Sequence, residues 1–355
     1  MECFRQLYDK KIAIIGVTGI VGMEMLTILD ENKVLKNCNV DGYASENSAG
    51  KRVSCKAWLD SIVVKDINTI EFDKYDIVLF ATRNEVSKQY VPSALACGCT
   101  VIDNSSYFRM NEGVPLVVPE INIDKAKGHR LIANPNCSTI QTVVPLKPLH
   151  DELGLKELVI STYQSVSGAG RRGLDYFDEE IHSYIKDKTL FEDKNSPFYT
   201  GLLFNLIPQI GDFGELNYTG EEWKMINETK KIFELPNIDV TATCVRVPVF
   251  VGHSISVFAK FEKEINSIEK VIAILNNFNG VIVKDEPVPR GYAVPRGYYY
   301  DIGSNEDYCK RDEVIVSRIR KHPTIKNGLS FWCVANNIRK GAALNAIQIA
   351  SLLDY

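Results

Sequence analysis

Paired cysteines are missing from this sequence. Its nine cysteines stand at 3, 38, 55, 97, 99, 137, 244, 309 and 333, none in a CxxC pair. That spacing excludes the common zinc frameworks, so no metal site is expected. A chain of 355 residues also has no need of disulfide staples. Most of the thiols therefore read as small buried hydrophobes in a reducing cytoplasm, with one or two left for chemistry. An excess of one charge is missing too. The 41 basic and 45 acidic residues leave a net charge of −4, which gives no basis for nucleic-acid or anionic-membrane partners. No apolar run approaches the roughly 20 residues that a spanning helix needs. Met1 to Lys10 has an acid at Glu2, no long apolar stretch and no small-residue cleavage pattern, so no signal peptide is expected and the expected location is cytoplasmic. Internal repeats and low-complexity tracts are absent as well.

What is present is an ordinary globular composition, 45% hydrophobic and 24% charged, at a length that predicts two domains. The first third alternates short apolar runs at 11–15, 39–44, 61–64, 76–81 and 99–102 with helical spacing over 20–31 and 84–97. Apolar strands separated by helices predict a parallel sheet covered on both faces. After about residue 137 longer alternating runs appear at 156–166, 239–247, 254–262, 313–320 and 329–336, with helices over 170–187, 221–233 and 267–277. These predict antiparallel strands of a mixed sheet with helices on one face. The Pro-, Gly- and Tyr-rich segment 285–312 predicts a long irregular excursion, and 341–353 a closing helix.

Gly16-Val17-Thr18-Gly19-Ile20-Val21-Gly22 lies directly between the first strand and the first helix. There, backbone N–H groups and the helix N-terminus can face a pyrophosphate. The GxxGxxG spacing is looser than GxGxxG, and a merely tight turn is the plain alternative. Its place at the opening of a βαβ unit points to dinucleotide binding. At the end of the second strand the chain reads Tyr43-Ala44-Ser45-Glu46-Asn47-Ser48-Ala49-Gly50-Lys51-Arg52. The hydroxyls of Ser45 and Ser48 and the two cations suit the 2′-phosphate of NADP, while Asp41 and Glu46 argue for a ribose diol.

Asn134-Pro135-Asn136-Cys137-Ser138-Thr139 ends an extended run, and 138–150 reads as a helix, which puts Cys137 at a helix N-terminus. That position stabilises a thiolate. The plain alternative is a buried cysteine beside an N-cap. A preceding dinucleotide domain tips the balance, since a thiolate beside a nicotinamide is what aldehyde–acyl oxidoreduction requires. Among five histidines, His129, His150, His182 and His322 sit in charged surroundings and read as surface residues. His253, after Gly252 and between two strands, is the candidate acid/base partner.

The ordered segments GVTGIVG (16–22), ASENSAGK (44–51), VIDNSSYFRM (101–110), VPLVVPEIN (114–122), NPNCSTIQ (134–141), STYQSVSGAGRRG (161–173), EEWKMINETKKI (221–232), TCVRVPVFVGHS (243–254) and RKGAALNAIQIA (339–350) closely resemble the aspartate-semialdehyde dehydrogenases of bacterial type. The resemblance covers essentially the whole chain. It implies a Rossmann-like dinucleotide domain at 1–136 plus 338–355. The catalytic and dimerisation domain, 137–337, is then like the C-terminal domain of glyceraldehyde-3-phosphate dehydrogenases. It also implies that Cys137, beside Asn136, attacks the acyl phosphate of L-4-aspartyl phosphate. NADPH then reduces the thioester to the semialdehyde, and homodimers form, in some members dimers of dimers. By resemblance His253 and Gln164 complete the catalytic set. The glycine turn after Gln164 suits presentation of its amide to a reacting carbonyl.

By the same resemblance Arg246 grips the α-carboxylate, a task that suits a bidentate guanidinium. Glu221 then faces the substrate amine, and Lys224 and Arg109 contact phosphate. The plain readings are a surface ion pair for Glu221–Lys224 and a loop charge for Arg109, with Thr219–Glu222 a capping box that needs no substrate. The cofactor set extends from the glycine turn, Ser45 and Ser48 to Ser167, Gly168 and Asn345. One departure is Thr82-Arg83-Asn84, where the family has a small glycine-rich turn. A sister enzyme, N-acetyl-γ-glutamyl-phosphate reductase, typically has glycine before its cysteine and tyrosine after it. Asn136, Ser138 and the charged Glu221 argue against it. A non-catalytic homologue would have lost one of Cys137, Gln164, Arg246 or His253, and all four are present.

Overall fold

The computed structural model describes residues 2–54, 61–189, 196–284 and 312–353, and two compact units divide it, Met1–Asn136 with Ala342–Tyr355 and Cys137–Gly341. The irregular segment expected at 285–312 lies, apart from Asp312, outside the described residues.

The first unit opens with β1 (Lys11–Ile15), α1 (Ile20–Glu31) and β2 (Asn39–Ala44). There follow β3 (Arg52–Ser54), β4 (Ser61–Val63), β5 (Lys65–Asp66), β6 (Ile77–Phe80) and α2 (Asn84–Ala96). The series ends with β7 (Thr100–Asp103), α3 (Pro119–Asn122) and β8 (Leu131–Ala133). Six strands form one all-parallel sheet in the order β5-β2-β1-β6-β7-β8. Central strands of such a sheet must be apolar on both faces, and Ile12–Ile15 and Ile77–Phe80 are buried throughout. The strand order reverses between β1 and β6. Ligands of open α/β sheets bind at the carboxyl ends of strands at such a switch point. The run expected at 61–64 does not join this sheet. It pairs antiparallel with β3 as a separate two-stranded ribbon, closed by Gly50 N–H to Val64 O and Val64 N–H to Lys51 O.

The second unit contains α4 (Cys137–Leu153), β9 (Leu155–Gln164), α5 (Gly170–Asp187), α6 (Gly220–Phe233) and β10 (Asp239–Arg246). Then come β11 (His253–Phe261), α7 (Ile268–Asn276), β12 (Val281–Val283), β13 (Val314–Lys321) and β14 (Gly328–Ala335). Its sheet runs β10-β9-β11-β14-β13-β12. The pairs β10/β9 and β12/β13 are parallel and the rest antiparallel, so the sheet is mixed, with more parallel pairing than the alternating runs alone suggest. α4, α6 and α7 cover one face. α4 tolerates Pro145 and Pro148 inside it. A proline cannot donate to the carbonyl four residues back. For Pro145 that carbonyl is Gln141 O, which instead accepts from the buried Cys333 Sγ at 3.7 Å.

A π-helical turn over Arg339–Ala343 leads into α8 (Leu344–Leu352). Leu344, Ile347 and Ala350 join the first unit's core beside Met25 and Leu29 of α1. Residues 338–341, expected with the first domain, fold with the second unit. The Ile338 and Arg339 N–H groups both donate to Asn336 Oδ1, and Arg339 Nε pairs with Asp312 at 2.5 Å. Among the described residues no helix is long and apolar enough to cross a membrane.

Candidate active site

In the second unit the nucleophile candidate is built by a helix start. Cys137 is the first residue of α4, its side chain half-buried, and the first turn holds no acid. The helix dipole at such a position favours a negative sulfur. Its Sγ lies 3.3 Å from Nε2 of His253, the fully buried first residue of β11. Nδ1 of that ring accepts the Ser165 backbone N–H at 3.0 Å. Burial, and next the Arg246 charge, pull the His253 imidazole down to about 3, against a smaller opposing pull from Glu221. The ring is therefore neutral at ordinary pH. Gly341 approaches from the π-helical turn, and a Cβ there would lie 2.8 Å from the Cys137 Cβ, so only glycine fits.

Three strand and helix ends bring polar groups to the same place. Gln164 closes β9, Arg246 closes β10 beside it in register, and Glu221 opens α6. Gln164 Nε2 donates to Glu221 Oε1 at 3.0 Å, and Lys224 Nζ meets Glu221 Oε2 at 3.2 Å. Arg246 donates through Nη1 to Ser165 O at 2.5 Å and stacks over the Phe198 ring at 5.7 Å. Arg246 is buried and Lys224 partly exposed. A side chain on Gly168 would strike Arg246 Nη1 at 2.7 Å, which explains the glycine. Glu222 turns away into the expected capping box: its Oε2 accepts the Thr219 N–H at 2.7 Å, and its Oε1 the Cys244 N–H at 3.0 Å. One cluster in this unit thus holds an ionisable sulfur, a neutral imidazole, an amide, a carboxylate and two cations.

Other sequence-predicted residues fold with the first unit. The glycine turn sits at the switch point: a Cβ on Gly16 (φ +88°) would lie 2.4 Å from Ala81 O, and one on Gly22 2.3 Å from Gly16 O. α1 starts at Gly19 with no side-chain cap and no acid in its first turn, so its N–H groups suit a pyrophosphate. Thr18, Ile20 and Val21 are half-buried around it, and Ser45 and Ser48 flank a short exposed turn after β2. Arg83 is exposed at the start of α2. Arg109 is buried, with Nη2 donating to Asn104 O at 2.8 Å, and Asn136 is buried too. Asn345 is buried and spends its amide N–H groups on Val117 O at 3.0 Å and Asn134 Oδ1 at 2.7 Å.

Sequence reasoning passed over three residues. Ser165 holds the imidazole, Asn337 holds Ser165 at 3.1 Å and Ser167, and Gly341 makes room for the nucleophile. A polar pair directly after the apolar run of β14 is the signal that marks Asn337. Two histidines expected at the surface are half-buried instead. His150 accepts the Leu155 N–H at 3.1 Å and packs on Phe233, and His322 accepts N–H groups of the following turn.

Comparison with known proteins covers both units. Residues 11–129 match the model for the NAD-binding domain of semialdehyde dehydrogenases, and 146–340 the model for their dimerisation domain. A relative from Aquifex aeolicus, named aspartate-semialdehyde dehydrogenase, is 45% identical over 97% of each chain. A solved Vibrio cholerae structure, described as aspartate semialdehyde dehydrogenase II complexed with ASA, is 36% identical with a TM-score of 0.86, covering 97% of this chain and 98% of that one. A Candida albicans aspartate semialdehyde dehydrogenase solved with NADP is 25% identical, TM-score 0.71, covering 96% and 97%.

Proposed function

The chain belongs to the aspartate-semialdehyde dehydrogenase family, and from that premise we propose how its residues divide the work of the reaction. It is an oxidoreductase of aspartate-family amino-acid biosynthesis, the NADPH-dependent reductive dephosphorylation of L-4-aspartyl phosphate to L-aspartate 4-semialdehyde. Cys137 attacks the acyl carbon as thiolate, forming a thioester as phosphate departs. When bound, the reduced dinucleotide supplies the hydride that converts this thioester to a hemithioacetal. Collapse of the hemithioacetal frees the aldehyde and restores the Cys137 thiolate. The observation that carries this reading is the Cys137–His253 contact of 3.3 Å at the head of a helix.

Gln164 would donate to the carbonyl oxygen where charge develops, giving up the bond its Nε2 makes here to Glu221 Oε1. Arg246 binds the α-carboxylate, a desolvated guanidinium being suited to one anion. Glu221 meets the substrate ammonium, and Lys224 and Arg109 the phosphate. The rival substrate with an acetylated amine would bring Glu221 no cation beyond Lys224, which already lies 3.2 Å from its Oε2. Gly16, Thr18, Gly19, Ile20, Val21 and Gly22 would hold the pyrophosphate, and Ser45 and Ser48 the 2′-phosphate. Ser167, Gly168 and Asn345 complete the set. In this division of roles Gly16 to Gly22, Ser45, Ser48 and Asn345 belong to the first unit, and Cys137, His253, Gln164, Ser167 and Gly168 to the second.

The enzyme oligomerises through its dimerisation domain, and a homodimer is the form we assign. Phe204, Leu206, Phe213 and Leu216 stand 58% or more exposed on this unit, an apolar set that supports a protein partner there. A cytoplasmic location agrees with the unpaired thiols at Cys38, Cys97, Cys99, Cys244 and Cys333. The test is phosphate-dependent reduction of NADP⁺ by L-aspartate semialdehyde. Cys137→Ala should abolish turnover and keep dinucleotide binding. Turnover that survives in the variant would end the proposal.

A further inference from the structure

α5 buries Gly173, Leu174, Tyr176, Phe177 and Glu180, and the last of these is an acid among apolar neighbours. A carboxylate is costly there unless donors meet it. Glu180 Oε1 accepts the Leu202 N–H at 2.9 Å, and its Oε2 accepts the Leu203 N–H at 3.2 Å. Burial pushes the Glu180 carboxyl up, and those two N–H groups hold it down. The segment fastened in this way is 198–207, and both of its ends meet Arg246. Phe198, itself buried, lies under the guanidinium at 5.7 Å. Ile207 exchanges both main-chain hydrogen bonds with Arg246, at 3.0 and 2.8 Å. α5 seats the ring from its other side. The edge contact to Tyr176 spans 6.0 Å, and a Cβ on Gly173 would lie 3.2 Å from the Phe198 Cζ.

The backbone between those ends is held against its local preference. Tyr199 at φ +68° and Phe204 at φ +61° are left-handed without being glycine. Bulky residues rarely accept that conformation, and it persists where the surroundings impose it. Phe204 packs on Tyr184 of α5 at 4.9 Å, so the same helix that supplies Glu180 helps to impose it. What the segment holds is a cation that needs support. Burial works against the Arg246 charge, and Glu221 is the first group to offset that. Its Nη1 is already spent on Ser165 O at 2.5 Å. A ring beneath a desolvated guanidinium stabilises the charge and closes one side of it. An incoming carboxylate must then meet the remaining N–H edge, where the bonds are strongest.

We propose that Phe198 and Glu180 are positioning residues of the reaction: Glu180 fastens segment 198–207, and Phe198 aims the Arg246 guanidinium at the substrate α-carboxylate. This deepens the reading of Arg246 as the carboxylate site and rests on it. Both residues act through Arg246 and not on the reacting carbon. Their loss therefore weakens binding of the substrate and leaves the chemical step almost intact, which separates KM from kcat.

The assay is steady-state oxidation of L-aspartate semialdehyde with phosphate and NADP⁺, beside its decarboxylated analogue 3-aminopropanal. Phe198→Leu removes the aromatic face and keeps an apolar side chain. It should raise KM for the semialdehyde about tenfold and change kcat by less than about threefold. KM for NADP⁺ and phosphate, and kcat/KM for the analogue, should stay native. Glu180→Leu should act in the same way. The double variant should be no worse than either single one, because both changes break one device. A native KM in Phe198→Leu, or an equal loss with the analogue, overturns the proposal. KM effects that multiply in the double variant overturn the part assigned to Glu180. If Glu180→Leu does not fold, Phe198→Leu decides alone. Arg246→Lys tests the underlying reading separately. A native KM for the semialdehyde in that variant ends the carboxylate assignment itself, whereas a raised KM there with a silent Phe198→Leu sinks only the positioning claim.

Discussion

Gly341→Ala is the smallest change that should disable this enzyme without touching a reacting group. The backbone at 341 is not in the left-handed region, so alanine itself is conformationally acceptable there. The added methyl is the whole perturbation. It would sit 2.8 Å from the Cys137 Cβ, 3.2 Å from its Cα and 3.2 Å from the Gln141 amide nitrogen. Carbon pairs are comfortable at about 3.5–4.0 Å, so the first residue of α4 or the π-helical turn must yield by about 1 Å. Forcing a methyl into a packed interior costs about 1–3 kcal/mol, and a displacement of about 1 Å at a reacting group costs about 100-fold in rate. The assay is the initial rate of semialdehyde oxidation with phosphate, alongside thermal unfolding. The expected result is kcat lowered about 100-fold with a small fall in Tm. A variant within threefold of native activity would refute the placement of Gly341 against the nucleophile.

Acid stability should carry the signature of His253. The ring resists protonation until about pH 3 in the folded protein, whereas in the unfolded chain it takes a proton below about 6.5. Its contribution is therefore full above about 6.5 and declines as pH falls toward the folded value, by up to about 1.4 kcal/mol per pH unit. Between pH 6.5 and pH 5 native enzyme should lose about 2 kcal/mol more than His253→Gln in denaturant titrations; equal losses would contradict the neutral buried ring. Gln141 is wholly buried, and among the described residues neither its Oε1 nor its Nε2 has a hydrogen-bond partner. Gln141→Met should leave stability unchanged or raise it by about 1–3 kcal/mol, read as a higher Tm in calorimetry. A lower Tm would mean that the amide is satisfied by bound water.

Much of this was legible in the residues because local chemistry and global fold agree. The apolar runs at Lys11–Ile15 and Ile77–Phe80 cannot be half-exposed strands, and they became the centre of the parallel sheet. Cys137 after Pro135 and Asn136 had to be a helix start, and it is. Short elements escaped. β8 and β12 have three residues each, too few for a periodicity to register. Ser61–Val63 had the right composition for the large sheet, but nothing in its pattern marks the direction of its partner. Helix α4, expected over 138–150, runs on to Leu153 through Pro145 and Pro148, with Cys333 filling the Gln141 carbonyl. Within the site, residues that bear chemistry announced themselves by type. Ser165, Asn337 and Gly341 act through a backbone N–H, a carboxamide linking distant segments and a missing side chain, and none of those has a sequence spacing. Residues 252 and 337 meet only because β11 and β14 pair.

The central claim is that one sulfur carries the acyl group. Mixing enzyme with L-4-aspartyl phosphate in the absence of dinucleotide, quenching in acid and mapping the mass of each cysteine peptide tests it directly. The account predicts an aspartyl adduct on Cys137 that disappears when NADPH is added before the quench. An adduct confined to another cysteine, or none while the enzyme remains active, would contradict it.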